Sequence, residues 1–234
     1  PLDAYGLAKL VNPTSVPRFF GSFRDRVMTK ITNFRWVAKD TATDTVFRVL
    51  QPAIRFTKDE CLDLPPMVYV KREVELTRQQ IKYYKLLKDR MVMDAAGEQI
   101  TAANAAVNMN KLLQISAGAV YTDKKEALEF DIKHRYKVLR EVIDESSKKV
   151  LIFVPFKHVI DLLVDKLTED GITTEVIRGD VPAHRRTEIF KRFQTTENPR
   201  VLVIQPQAAA HGVTLTAANT VVWWGPTSSL ETYA

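Results

Sequence analysis

The second half of the sequence alternates strand and helix patterns at a spacing of roughly 25 residues. Residues 150–154 form a continuous apolar run, which is typical of a parallel strand covered on both faces. We predict strands over residues 150–154, 174–178, 201–205 and 220–224. The helices between them are predicted over about 157–169 and from Pro182 onward. This alternation predicts βαβ units with right-handed crossovers, and therefore an α/β fold with a parallel sheet flanked by helices.

Parallel sheets bind their ligands at the edge where the strands end. The loops expected at that edge are Pro155–His158, Gly179-Asp180, Pro206–Thr214 and Gly225–Thr227. The candidate functional residues come from these loops and from the strand ends beside them.

A glycine turn is predicted between the second strand and the helix that follows it. Arg178 ends the strand, Gly179 turns the chain, and the free N–H groups of the next helix favour an anion such as a backbone phosphate. The alternative is an ordinary strand–helix turn, with Asp180 as the helix cap and Arg185 and Arg186 as solvated surface.

Small residues follow the third strand, in Gln205–Thr216. Small side chains allow the backbone to approach a ligand closely, and the polar groups spaced among them suit a binding loop. A tightly packed corner between a strand and a helix is the alternative.

Charge and cysteine content restrict the class of protein. Lys and Arg number 34 against 28 Asp and Glu, a net charge of +6, and the excess lies within residues 1–117. A modest basic bias is compatible with a nucleic-acid partner. A single cysteine, Cys61, excludes an internal disulfide framework, and no run approaches the roughly 20 apolar residues of a spanning helix, so we expect no membrane partner and a cytoplasmic location.

Several chemical motifs are missing from the sequence. No G-x-x-x-x-G-K-S/T phosphate loop and no G-x-S-x-G nucleophile motif occurs. The histidines show no metal-ligand spacing with Cys61, which predicts no metal site. Asp144-Glu145 ends a predicted helix, and we interpret it as solvated surface.

The first half of the sequence is predicted to be mainly helical. Residues 1–66 read as short helices and loops, with a helix capped by Ser22, another over Thr43–Leu50 and a helical turn opened by Thr57. Residues 67–147 read as a strand over 67–76 and helices from Thr77 to about Met93, from Thr101 to about Gly118 and over 131–147.

The order of these motifs matches one known family. In the second half they are Val150–Val154, Phe156-Lys157, Arg178-Gly179-Asp180, Phe190-x-x-Phe193, Ala210–Thr216, Val221–Pro226 and Ser229–Tyr233. In the first half they are Gly21-Ser22-Phe23, Leu64-Pro65-Pro66, Glu75–Gln80 and Lys111–Ile115. The series resembles the second RecA-like lobe of Swi/Snf-type ATPases in helicase superfamily 2, together with the region between the two lobes. It is most similar to compact bacterial and phage-encoded members.

The resemblance implies an ATP-dependent translocase or helicase acting on double-stranded DNA in a bacterial or phage-infected cell. It divides the chain into the end of the first lobe and a helical inter-lobe region (1–66), connecting elements (67–147) and an incomplete second RecA-like lobe (148–234). ATP and Mg²⁺ would be bound mainly by the first RecA-like lobe of the same protein. The resemblance therefore also implies that this lobe is a binding partner of residues 148–234.

Site residues follow from the same resemblance. Nucleic-acid contacts are carried over to Lys157, His158, Arg178, Gly179, Gln207 and Ala208. Nucleotide contacts are carried over to Gly212, Val213 and Thr214, in the family's motif V, which touches both DNA and nucleotide.

Three positions of motif V depart from the family pattern, and at the first of them Gln205 or Gln207 stands where the family has Ser or Thr. Thr214 stands where the family has Asn or Asp, and Ala209-Ala210 stands where it has Ala-Gly. The family's arginine motif would follow Ala234 and its phosphate loop would precede Pro1. We therefore expect a fragment without catalytic residues, which alone hydrolyses no ATP.

Two other functions stay open at this stage. The basic 1–117 half suits a non-catalytic module that binds DNA or recruits a partner. An RNA helicase lobe would share the same architecture, although Trp223-Trp224 and Ser229–Tyr233 favour the Swi/Snf type.

Overall fold

The computed structural model describes residues 1–54, 56, 67–95, 97–209, 213–227 and 233. The chain divides into two compact units, Pro1–Tyr69 and Val70–Ala234. Each unit has a hydrophobic core of its own.

The described part of the first unit contains helices and a short antiparallel hairpin. The helices are α1 (Ala4–Val11), α2 (Phe20–Val27) and α3 (Ala42–Leu50), and the hairpin pairs β1 (Met28–Lys30) with β2 (Trp36–Ala38). Helix α3 confirms the prediction for Thr43–Leu50. The prediction that Ser22 caps α2 is wrong, because Phe19 precedes the helix and Ser22 lies within it. Burial of Phe23 fixes this helix without a capping hydroxyl, and the turn predicted at Thr57 lies outside the described residues.

The second unit begins with a capped helix and a hairpin. Helix α4 (Arg78–Arg90) starts with a capping box, in which Thr77 and Gln80 each accept a bond from the other's backbone N–H. It ends before a hairpin of β3 (Val92–Ala95) and β4 (Glu98–Thr101), so the predicted helix end at Met93 is wrong.

A second helix and hairpin follow the same plan. Helix α5 (Ala105–Ala117) begins after Asn104, whose side chain accepts a bond from Val107 N. The hairpin pairs β5 (Ala119–Tyr121) with β6 (Ala127–Glu129), and α6 (Lys133–Glu145) comes next. The predicted start of α5 at Thr101 is wrong because that residue ends β4. The helix predicted over 131–147 is confirmed, with Asp144-Glu145 at its exposed end.

The strand predicted over residues 67–76 is wrong. The segment is not in a helix or strand and has no partner strand among the described residues, and the side chains of Met67, Val68, Tyr69 and Val70 are exposed. Residue types that favour strands do not make a strand unless a neighbouring strand accepts their hydrogen bonds.

A parallel sheet organises the rest of the second unit. Its strands are β7 (Lys149–Phe153), β8 (Thr174–Ile177), β9 (Val201–Ile204) and β10 (Ala218–Trp223), in the spatial order β10–β7–β9–β8. Helix α7 (Lys157–Glu169) connects β7 to β8, and α8 (Ala183–Thr195) connects β8 to β9. The α/β prediction and the predicted strands are confirmed, while Pro182 precedes α8 and is not its first residue.

The two faces of the sheet bury alternate residues of its central strands. Val150 and Ile152 lie in a core with residues of α6 and α7, such as Leu139 and Leu163. Leu151 lies in the core on the opposite face, with Ile189, Phe193 and other residues. Both faces are covered, which explains why these strands are apolar at consecutive positions.

His158 connects α7 to the β5–β6 hairpin inside this core. The residue is 5% exposed, the centre of its ring lies 4.2 Å from that of Tyr121, and its Nε2 donates to Ala119 O at 2.8 Å. Its Nδ1 has no hydrogen-bond partner in the described part of the chain. Burial lowers the pKa of His158 below its ordinary value, outweighing the bond to Ala119 and the charge of Asp161.

Gly118→Ala is expected to destabilise the second unit strongly. Gly118 has φ +123°, and a Cβ there would lie 2.5 Å from Cγ2 of Ile132. Backbone strain and overpacking together should lower the free energy of unfolding by about 2–5 kcal/mol in urea denaturation. Gly171→Ala is the matched control, because its φ is +72° with nothing within 4 Å of the added Cβ. It should cost about 1–2 kcal/mol, and equal losses would contradict the steric argument.

Acid is expected to destabilise the protein through His158. The unfolded histidine binds a proton near its ordinary pKa of 6.5, whereas the folded pKa is lower. The contribution of His158 is therefore fully present above pH 6.5 and is lost as the pH falls from there toward the folded pKa. The measurement is the free energy of unfolding between about pH 5 and pH 7.

His158→Gln should remove that part of the pH dependence, because an amide NH₂ can still donate to Ala119 O but does not titrate. His184→Gln is the control, since His184 is exposed on α8. An unchanged pH dependence in His158→Gln would rule out this origin.

Candidate functional site

The carboxyl edge of the parallel sheet brings together the segments that follow its strands. Backbone bonds hold this edge in register, with Val154 N donating to Ile204 O at 2.9 Å and Gln205 N to Ile177 O at 2.8 Å. Residues 154–156, 178–182, 205–209 and 224–227 follow the strand ends here.

Two basic and two acidic side chains form an ion-pair cluster after β8. Arg178 donates from Nη1 to Asp161 Oδ1 at 2.5 Å and from Nε to Asp180 Oδ1 at 2.9 Å. Lys157 Nζ lies 3.5 Å from Asp180 Oδ2. We call these four residues the Arg178 cluster; its formal charge is zero, and its side chains are partly or largely exposed.

The basic side chains of the cluster act on the carboxyl group of Asp180. Desolvation raises the pKa of Asp180, but the charges and hydrogen bonds of Arg178 and Lys157 outweigh it and hold that pKa below its ordinary value. Asp180 is therefore ionised at neutral pH. Arg178 and Lys157 are both paired with carboxylates, so an incoming anion would have to replace a carboxylate as the partner of one of these cations.

Gly179 forms the turn beside this cluster. Its amide donates to Oε1 of Gln205 at 3.2 Å, and a Cβ on Gly179 would meet that oxygen at 3.8 Å. The Gln205 side chain thus links the end of β9 to the turn after β8.

Arg186, near the start of α8, bonds to the turn after β8 and to the segment after β9. Its guanidinium donates to the carbonyl oxygens of Arg178, Gly179, Val181 and Ala208 over 2.7–3.1 Å. The interpretation of Arg186 as solvated surface is wrong, because the residue is only partly exposed and fully engaged with backbone oxygens.

The segment after β9 is held from α8. Pro206–Ala208 form a 3₁₀ turn, with Gln207 exposed and Ala208 half-buried. Gln194 donates to Thr214 O at 3.1 Å and accepts from Ala217 N at 2.8 Å. These bonds leave the side chains of Val213 and Thr214 facing solvent.

The loop after β10 is held by a partly buried arginine. Arg135 donates to Ser116 O at 2.8 Å and to Trp224 O, and its guanidinium lies 4.4 Å from the centre of the Trp224 ring. Burial lowers the pKa of Arg135 to about 10, so it remains charged at neutral pH. Trp224 Nε1 donates in turn to Ala117 O at 2.8 Å.

The structure brings together four of the nine site residues proposed from the sequence. Arg178 and Gly179 lie at the turn after β8, and the side chain of Lys157 reaches Asp180 at the same turn. The guanidinium of Arg186 donates to Gly179 O in this turn and to Ala208 O in the segment after β9. His158 is separated from Lys157 because its ring is buried in the core. Gly212 lies outside the described residues.

Sequence reasoning missed the residues that hold these turns. Asp161 follows Lys157 by one helical turn, so a shared helix face was a signal that could have placed it near Arg178. The spacing of Arg186 and Gln194 gives no such signal, because both bond to loops distant in sequence. The described residues contain no cluster of His, Cys, Asp and Glu that could hold a metal ion. Within them, no helix is long and apolar enough to cross a membrane.

Comparison with protein families and curated proteins identifies helicase relatives. Residues 134–234 match the helicase conserved C-terminal domain. A SWI/SNF-related matrix-associated actin-dependent regulator of chromatin subfamily A-like protein 1 homolog from Caenorhabditis elegans is 40% identical over 80 residues, covering 34% of this chain and 12% of that protein. An uncharacterized ATP-dependent helicase from Mycoplasma pneumoniae is 29% identical over 199 residues, covering 78% of this chain and 19% of that protein. The chain thus spans less than a fifth of each of these relatives.

Solved structures agree on the fold. The Sulfolobus solfataricus SWI2/SNF2 ATPase core domain matches with a TM-score of 0.56 and 18% identity, over 99% of this chain and 49% of that chain. The same core in complex with dsDNA matches with a TM-score of 0.50 and 18% identity, over 92% and 47%. Residues 134–234 are thus similar to helicase C-terminal domains, and the chain shares its fold with the SWI2/SNF2 ATPase core.

Proposed function

We propose that this chain supplies part of the second RecA-like lobe of an ATP-dependent translocase or helicase that moves on double-stranded DNA. The observation that carries the proposal is the convergence of the turns after β8 and β9 at one edge of the sheet, bound by the same guanidinium. One turn carries basic side chains and the other leads into Val213-Thr214. A site that binds a DNA phosphate and responds to nucleotide needs contact between the turn that binds the phosphate and the segment that binds the nucleotide.

Separate roles are proposed for the two turns. Lys157, Arg178 and the backbone of Gly179 contact phosphates of one DNA strand, with Gln207 and Ala208 beside them. Gly212, Val213 and Thr214 face the nucleotide; of these, Thr214 offers a hydroxyl that can donate or accept one bond. The buried ring of His158 positions α7 and makes no contact with DNA in this proposal.

ATP and Mg²⁺ belong to the proposed reaction, but the described residues fit neither a phosphate cradle nor a metal site. They hold no metal-ligating cluster, and the sequence has no G-x-x-x-x-G-K-S/T loop. We therefore assign both mainly to a first RecA-like lobe of the same protein. The residues of this chain would bind DNA and position the segment near the nucleotide.

The Arg178 cluster makes phosphate binding an exchange of partners. Exposed ion pairs contribute only about 0–1 kcal/mol, so a DNA phosphate can replace Asp161 or Asp180 at small cost. The carboxylates that are displaced remain nearby and repel the phosphate. Affinity at this site is therefore the difference between the attraction of the two cations and the repulsion of the two anions.

Lys157→Ala and Arg178→Ala are expected to weaken binding of a fluorescent 20-base-pair duplex. Each should reduce the slope of log K against log salt by about 1, because one phosphate contact is lost. Lys124→Ala is the control, since Lys124 lies between β5 and β6 and pairs with Glu98. Competition with an RNA duplex of the same sequence tests whether DNA is the preferred partner.

Two outcomes would favour the alternatives. If Lys157→Ala and Arg178→Ala keep wild-type affinity while Arg26→Ala or Lys30→Ala loses affinity, the DNA-binding surface lies in the basic 1–117 half. Stronger competition by RNA would point to an RNA helicase lobe.

Asp161→Asn is expected to raise affinity for the same duplex about threefold. Removing a negative charge at about 6 Å from a phosphate is worth about 0.7 kcal/mol in a water-like dielectric. The amide oxygen can still accept from Arg178, so the turn should keep its shape. Asp165→Asn is the matched control, one helical turn further along α7 and exposed. Unchanged or weaker binding in Asp161→Asn would contradict the exchange of partners.

A further inference from the structure

We propose that Arg186 is a positioning residue that joins the turn after β8 to the turn after β9 and makes them move as one body. The inference rests on the proposed function, because those turns are the ones assigned to DNA and nucleotide. It adds the connection between them, which neither the sequence motifs nor the fold assigns to a residue.

The hydrogen bonds of Arg186 carry this proposal. Nε donates to Val181 O at 2.7 Å, and Nη2 donates to the carbonyl oxygens of Arg178 and Gly179, each at 3.1 Å. Nη1 donates to Ala208 O at 3.1 Å, on the other turn. A rigid planar group with donors on all three nitrogens thus spans two segments about 30 residues apart in the chain.

The chemistry of these acceptors excludes a role as a simple surface charge. All of them are neutral backbone oxygens, and no carboxylate is a partner of Arg186 in the described part of the chain. Carbonyl oxygens of tight turns point where no strand or helix can satisfy them, and a charged donor bonds to them strongly. The guanidinium therefore satisfies the backbone of both turns.

A second link joins the same turns from the β9 side. Gly179 N donates to Gln205 Oε1 at 3.2 Å, and the backbone of Gln205 bonds to Ile177 O. Arg186 itself is anchored, because Ile189 and Phe193 bury the face of α8 that follows it. A displacement of residues 206–209 would therefore be transmitted to residues 178–181 and not absorbed between them.

Lysine at position 186 cannot make this connection. A lysine ammonium keeps the charge, but its three donors lie on one nitrogen atom. That atom cannot reach the carbonyl oxygens of both turns at once, as the separate nitrogens of the guanidinium do. Arg185 is a natural control, because it is the neighbouring residue, is exposed, and pairs with Glu188 at 3.0 Å. Arg186→Lys and Arg185→Lys thus make the same chemical change at adjacent positions.

The functional test is DNA-stimulated ATP hydrolysis by the whole translocase that, in the proposed function, contains this chain, because the chain alone is expected to hydrolyse no ATP. Arg186→Lys should lower kcat at saturating duplex about tenfold and also raise the duplex concentration for half-stimulation, whereas Arg185→Lys should change each less than twofold. Lys157→Ala removes a proposed phosphate contact together with the ion pair to Asp180, and it should raise the half-stimulating concentration. Wild-type kinetics in Arg186→Lys, or equal losses in Arg185→Lys, would overturn the proposal.

Hydrogen exchange tests the connection without relying on the proposed function. The amides of Gly179 and Ala208 bond to Gln205, so both should exchange faster in Arg186→Lys, by a similar factor, and not in Arg185→Lys. Faster exchange in one turn alone would overturn the proposal. A wild-type protein with no DNA-stimulated hydrolysis would instead overturn the proposed function and leave this result standing.

Gln205→Leu provides a second variant if Arg186→Lys folds poorly. It removes the other link between the same turns without changing charge, and Gln205→Glu retains an oxygen that accepts from Gly179 N. Loss of kcat in the leucine variant with recovery in the glutamate variant supports the proposal. Wild-type kcat in both contradicts it.

Discussion

Parallel pairing of β7 with β9 is the interaction on which the candidate site depends. The pairing is in register from Val150 with Val201 to Phe153 with Ile204, so the two strands end at the same level. Because both faces are buried, a shift of one residue would exchange the sides that meet α7 and α8. The hydrophobic core thereby fixes the level at which Gln205 and Pro155 leave the sheet.

Cations that bond to backbone carbonyls form a second layer of organisation. Arg200 donates to Ile143 O and Ser146 O at the end of α6, and Lys149 donates to Phe193 O and Thr196 O at the end of α8. Helix C-termini leave such oxygens unpaired and carry negative partial charge, so these contacts are favourable. Like Arg186, these residues are partly exposed, and their charged groups bond to backbone oxygens of the same chain. The net charge of +6 therefore overstates the positive charge that can reach a nucleic acid.

Much of the sheet could be predicted from the sequence because its signals are local. The apolar run 150–154 indicates a buried strand within five residues of sequence. Helix starts can be equally local, as for the capping pair of Thr77 and Gln80. The hairpins at 92–101 and 119–129 were missed because strands of three or four residues carry little pattern. The site was predicted in part: Arg178 and Gly179 follow from topology. The contacts of Arg186 could not be predicted, since its acceptors are set by how two turns fold.

Neutralisation of the Arg178 cluster has a consequence for selectivity. An anion gains little from merely approaching a formally neutral group of four charges, so diffuse attraction to any polyanion is weak there. A ligand gains only by replacing a carboxylate at the Arg178 guanidinium, which requires an oxygen placed at hydrogen-bond distance. A regular phosphate backbone meets that requirement when its spacing matches the turn. Because Arg186 holds carbonyl oxygens of the turn after β8, the geometry that would select a phosphate in the proposed function depends on the same residue that bonds to Ala208 in the segment after β9.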